Sequence, residues 1–139
     1  MKILRTRDGT SLKVWRSMAF PPGSESISPE AKRRLVDIAK EISGKPNKIE
    51  IRGHVSPGQL PEGSDATNKT TLSYNRARNV LTLLQEQGID TNRVRLLAIS
   101  DLQPVHLTGD KNEVKHDRVE VFIIDTFAEE YVGPSQKHE

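Results

Sequence analysis

The chain has 139 residues, 34% hydrophobic and 29% charged, which suits one domain with its own core. Its 21 Lys and Arg nearly balance 19 Asp and Glu, and three Phe, two Tyr and one Trp are few, so neither the basic footprint nor the stacking platform of a nucleic-acid binder is present. The absence of cysteine excludes disulfides, thiolate metal sites and a cysteine nucleophile.

Residues 1–10 lack the apolar core of a signal peptide, and no run of about 18 apolar residues follows. They read as an N-terminal extension, with any export signal or membrane anchor expected on a longer parent chain. Leu12-Lys13-Val14-Trp15-Arg16 alternates apolar and polar side chains, which predicts a first strand extending toward Phe20. Pro21-Pro22-Gly23-Ser24 ends it. Ser28-Pro29 then supplies an N-cap hydroxyl and a proline at the first helical position. Ala31, Leu35, Ile38, Ala39 and Ile42 follow at helical spacing, and Gly44 stops the helix. Lys48 to Arg52 alternates as a second strand.

Residues 53–70 form a polar loop without periodicity, long enough to suggest a functional role. A second helix is predicted over Leu72–Gln87, with Ala77, Val80, Leu81 and Leu84 inward and Gly88 as its stop. Ser73 is expected to serve the start of this helix. Arg93–Ser100 and Arg118–Ile124 read as two further strands. The loop between them carries Asp101, Pro104, Gly109 and Asp110, and residues 126–139 read as a polar tail. The order β-α-β-α-β-β over residues 11–125 predicts an α/β (α+β) two-layer sandwich, with a mixed four-stranded sheet and two helices on one face.

No catalytic set emerges. A Gly-x-Ser-x-Gly elbow, a phosphate-cradling glycine loop and a carboxylate pair in an acid/base setting are all missing. His54, His106, His116 and His138 lack metal-ligand spacing, so no metal or cofactor is expected, and His54 reads as a structural hydrogen-bonding residue. The most informative stretch is Leu72-Ser73-Tyr74-Asn75-Arg76-Ala77. It places Arg76 near the predicted N-terminal end of a helix, where free backbone N–H groups favour an anion and a guanidinium fork matches a carboxylate. A solvated helix arginine and a structural ion-pair partner are the plainer readings of Arg76. For Arg118 and Glu120 the plainer reading is a solvent-facing pair on one strand face.

Taken in order, Gly53-His54-Val55-Ser56, Asn68, Leu72-Ser73-Tyr74-Asn75-Arg76-Ala77 and His116-Asp117-Arg118-Val119-Glu120-Val121 resemble the OmpA/MotB C-terminal family, whose members bind peptidoglycan. The resemblance covers roughly residues 15–125. The family pattern reads Gly-His-Thr-Asp, then Leu-Ser-x-x-Arg-Ala, then Asn-Arg-Arg-Val-Glu-Ile. What it implies is a non-catalytic module of the bacterial periplasm or cell envelope. Such a module grips the diaminopimelate of the peptidoglycan stem peptide and anchors an envelope or flagellar-motor-type protein.

Carried over residue by residue, the resemblance implies that Arg76 takes the ligand carboxylate. Ser56, Asn68, Leu72 and Asp65 would shape the pocket, and Arg118 would add a second positive charge. Ser56 stands where the family carries an aspartate for the ligand ammonium, so that half of the site loses its charged partner unless Asp65 or Glu62 swings in to replace it. The alternative is a degenerate domain of the same fold, acting as a protein-interaction or homodimerisation module without wall binding.

Overall fold

The computed structural model describes residues 4–5, 11–102 and 116–127, and the surroundings of side chains over 16–102 and 116–124. Pro104, His106, Gly109, Asp110 and His138, and residues 128–139 of the expected tail, lie outside the described residues. The expected order is found: strand β2 (Ser11–Ala19), helix α1 (Pro29–Ile42), strand β3 (Asn47–His54), helix α2 (Lys69–Glu86), strand β4 (Val94–Ser100) and strand β5 (Arg118–Phe127). A two-residue strand β1 (Leu4–Arg5) pairs antiparallel with β2 at the sheet edge. A 3-10 turn (Thr91–Arg93) leads into β4.

The sheet order is β1-β2-β5-β3-β4, with β3 and β4 parallel and every other pairing antiparallel. Parallel neighbours need a crossover, and α2 supplies it by packing against both β3 and β4. Strand alternation then sorts the side chains. Ile49, Ile51, Val119, Val121, Ile123 and Met18 join Leu35, Ile38, Ile42, Ala77, Val80 and Leu84 of the helices in one core.

Local signals account for the element ends. The Ser28 hydroxyl accepts from the Ala31 N–H at 3.1 Å, and Pro29 occupies the first turn of α1. Helix α2 begins three residues before its predicted start because Asn68, not Ser73, is its cap: the Asn68 side-chain oxygen accepts from the Thr71 N–H at 2.8 Å. Ser73 instead donates to the Thr70 carbonyl and accepts from the Ser100 N–H.

At Gly53 the backbone of α2 comes close against the sheet. A Cβ added there would stand 1.9 Å from the Ser73 carbonyl oxygen, so only glycine permits the approach.

On the opposite face of the sheet Glu50, His54, Arg118 and Glu120 are polar yet buried, while Arg95 is exposed. Glu50 holds Arg95 at 2.6 Å, and Arg52, also bonded to Glu50, lies 4.4 Å above the Phe122 ring. Farther along, Glu120 stands between His54 and Arg118. The expectation of a solvent-facing Arg118–Glu120 pair is thereby corrected, since both residues are 5% exposed or less.

Candidate functional site

The register His54↔Arg118 between β3 and β5 decides the site. It lays the residues just past the end of β3 beside those just before β5, and so brings Ser56 to Asp117. The Ser56 hydroxyl donates to Asp117 Oδ2 at 2.6 Å, and the Ser56 N–H to Oδ1 at 3.3 Å. Helix α2 adds the third member: Arg76 Nη1 donates to Asp117 Oδ1 at 2.8 Å.

Arg76 does not sit at a helix N-terminus. Because α2 starts at Lys69, Arg76 is two turns inside it and fully buried, far from the free N–H groups of the first turn. Its fork serves acceptors of the protein instead. Nε donates to the Ser24 carbonyl at 2.7 Å, Nη1 also to the His54 carbonyl at 2.9 Å, and Nη2 to the Pro21 carbonyl at 3.0 Å. The Phe20 ring lies 5.2 Å from the guanidinium carbon. One arginine therefore ties α2, the turn after β2, the end of β3 and the start of β5 together. The expected open, anion-welcoming setting is corrected to an enclosed one.

Of the two charged members of this cluster Asp117 is the more exposed, its side chain 11% against 0% for Arg76, and Ser56 beside it is half-buried. Burial alone would raise its pKa. The hydrogen bonds from Ser56 and Arg76 outweigh that and hold the carboxyl below the usual range, ionised at neutral pH. Sequence reasoning passed over Asp117, although a signal existed: an acid stands at 117 where the family pattern has an arginine, and a serine at 56 where it has an aspartate.

The remaining residues separate. Asn68 caps α2 and lines an open hollow of about 500 Å³ that Gly58, Leu60, Pro61, Ser64 and Thr67 also line. Asp65 is exposed and pinned to the turn after β2, accepting from the Glu25 N–H at 3.0 Å while its own N–H donates to the Gly23 carbonyl. It does not swing in toward Ser56, and Glu62 is likewise exposed. Leu72 is fully buried and offers no pocket surface. Arg118 points to the opposite sheet face, toward Glu120, so it adds no charge beside Arg76. Among the described residues no group of three His, Asp or Glu could hold a metal ion. No helix there is long and apolar enough to cross a membrane.

Comparison with known proteins gives the same outline. The OmpA family model matches residues 19–118. No curated protein matches the sequence. Among solved structures, the periplasmic domain of Helicobacter pylori MotB (its residues 97–256) aligns with a TM-score of 0.69 at 22% identity, over 91% of this chain and 90% of that one. A putative MotB-like protein from Desulfovibrio vulgaris aligns with a TM-score of 0.64 at 25% identity, over 76% of this chain and 68% of that one. The OmpA-like domain of FopA1 from Francisella tularensis aligns with a TM-score of 0.65 at 17% identity, over 90% of this chain and 79% of that one.

Proposed function

The chain belongs to the OmpA family, and from that premise we propose that it is a non-catalytic peptidoglycan-binding module of the bacterial periplasm, tethering a larger envelope or flagellar-motor-type protein to the cell wall. OmpA-like domains generally bind peptidoglycan and are generally non-catalytic. The observation that carries the reading is a pair of opposite charges, Arg76 and Asp117, held 2.8 Å apart at the end of β3, where the hollow-lining loop begins. The ligand is the stem peptide, whose diaminopimelate ends in both an ammonium and a carboxylate.

Because the Arg76 fork is committed to Asp117 and three carbonyls, it acts by positioning. It fixes the carboxylate and the loop entrance, and the ligand meets Ser56, Asn68 and the loop backbone. Any membrane attachment comes through a parent-chain anchor.

Sedimentation with purified sacculi tests this. The domain is expected in the pellet, and a soluble stem peptide ending in diaminopimelate is expected to release it. A domain that stays in the supernatant at all concentrations overturns the proposal.

The enclosure of Arg76 favours one second reading, a scaffold that has lost its ligand and serves as a protein-interaction or homodimerisation module. That reading requires no pelleting, together with light scattering that rises with concentration as copies associate.

A further inference from the structure

We infer that Asp117 is the ammonium-binding carboxylate of this chain, a specificity residue that has moved from the end of β3 to the start of β5. The inference deepens the wall-binding reading and rests on it.

Two positions depart from the resembled pattern. Ser56 is neutral where the resembled pattern is acidic, and Asp117 is acidic where that pattern is basic. The β3–β5 register makes them neighbours, so a carboxylate lost from one strand end is regained from the other at 2.6 Å. Arg76 Nη1 holds that carboxylate at 2.8 Å.

Counting lone pairs shows what is left for a ligand. A carboxylate offers about four acceptor sites. Arg76 and the Ser56 N–H use two on Oδ1, and the Ser56 hydroxyl uses one on Oδ2. The remaining site on Oδ2 belongs to the more exposed charged group of the cluster, and a primary ammonium supplies the matching donor. Of the other carboxylates near this end, Asp65 holds the Glu25 N–H, Glu25 accepts from Asn75, and Asp101 pairs with Lys69 at 2.9 Å, while Glu62 is exposed on the loop.

An opposite role for Asp117 is an internal plug that occupies Arg76 and keeps a ligand carboxylate out. The two roles give opposite results on removal of the charge. Sacculus binding is to be measured for the parent chain, for Asp117→Asn, and for Ser56→Asp combined with Asp117→Asn, with thermal melts confirming folding. The expected result is at least a tenfold loss for Asp117→Asn and recovery to within about threefold of the parent in the double variant, since a charge-assisted bond is lost and then restored.

Binding by Asp117→Asn equal to or tighter than the parent overturns the inference, and so does a folded double variant that recovers nothing. If the Asn variants do not fold, the parent alone decides by competition. Stem peptide with a free side-chain ammonium is expected to displace it at least tenfold better than the same peptide acetylated there. Equal displacement overturns the inference while leaving wall binding intact. A parent that does not bind sacculi at all removes both.

Discussion

Replacing Arg76 by methionine keeps most of the aliphatic bulk and removes the guanidinium. Four hydrogen bonds end: three to the carbonyls of Pro21, Ser24 and His54, and one to the Asp117 carboxylate. Bonds to a charged group contribute about 1.5–3 kcal/mol each, but they are not additive, and the variant also escapes the cost of burying a cation. Removing one partner of a buried pair typically costs about 3–5 kcal/mol, and that is the expected loss here. Against a total stability of about 5–15 kcal/mol the variant remains foldable but marginal.

Urea unfolding followed by circular dichroism reads the loss as a lower midpoint at unchanged slope, and the melting temperature should fall by about 10–20 °C. Adding Asp117→Asn is expected to restore part of the loss, because the carboxylate is then no longer left buried without its cation. A loss below about 1 kcal/mol for Arg76→Met refutes the idea that this side chain ties the four segments together.

Gly53→Ala drives a methyl against the Ser73 backbone of α2 and is expected to cost about 3 kcal/mol or more by urea titration. A loss near zero means the helix can retreat freely. Ser56→Asp alone sets a second carboxylate beside Asp117, so one of the two must take a raised pKa. A raised folded-state pKa lowers stability above the unfolded value, so this variant should lose more against the parent at pH 7 than at pH 4 in thermal melts. The parent should weaken on acidification in two stages. Burial, opposed by Glu120, lowers the pKa of His54 from its usual 6.5, so the unfolded chain gains a proton first and stability falls as pH drops below about 6.5. Asp117, held low, withdraws its contribution as pH falls through its own depressed pKa. His54→Gln should flatten only the upper stage, and an unchanged profile contradicts the assignment.

The sequence made the architecture legible because its signals are local. Ser28-Pro29, the helical spacing of Ala31 to Ile42, the alternation through Ile49 and Ile51, and Gly88 after α2 each mark an element on their own. The start of α2 was legible only in part, since Asn68 and Ser73 are both capable caps and only the fold decides which hydroxyl or amide meets the first turn.

The site was harder for a physical reason. Whether Arg76 faces solvent or Asp117 depends on a pairing 41 residues apart, fixed by the register of β3 on β5. The same register turned Arg118 to the far face of the sheet, and bonds from the loop to the turn after β2 pinned Asp65 away from Ser56. Reading positions 56 and 117 together would have exposed an acid lost at the one and an acid in place of a base at the other. Read one motif at a time, the chain showed only a missing aspartate.

The central claim is that ligand engages the end of β3 and the loop after it, beside the Arg76–Asp117 pair. Titrating isotopically labelled protein with a soluble, diaminopimelate-containing muropeptide, followed by amide chemical shifts, tests it most directly. Saturable shifts concentrated at Ser56, Asp117 and residues 58–69 are the expected result. A spectrum that does not move, or shifts confined to the opposite sheet face around Glu50, Arg95 and Phe122, would contradict it.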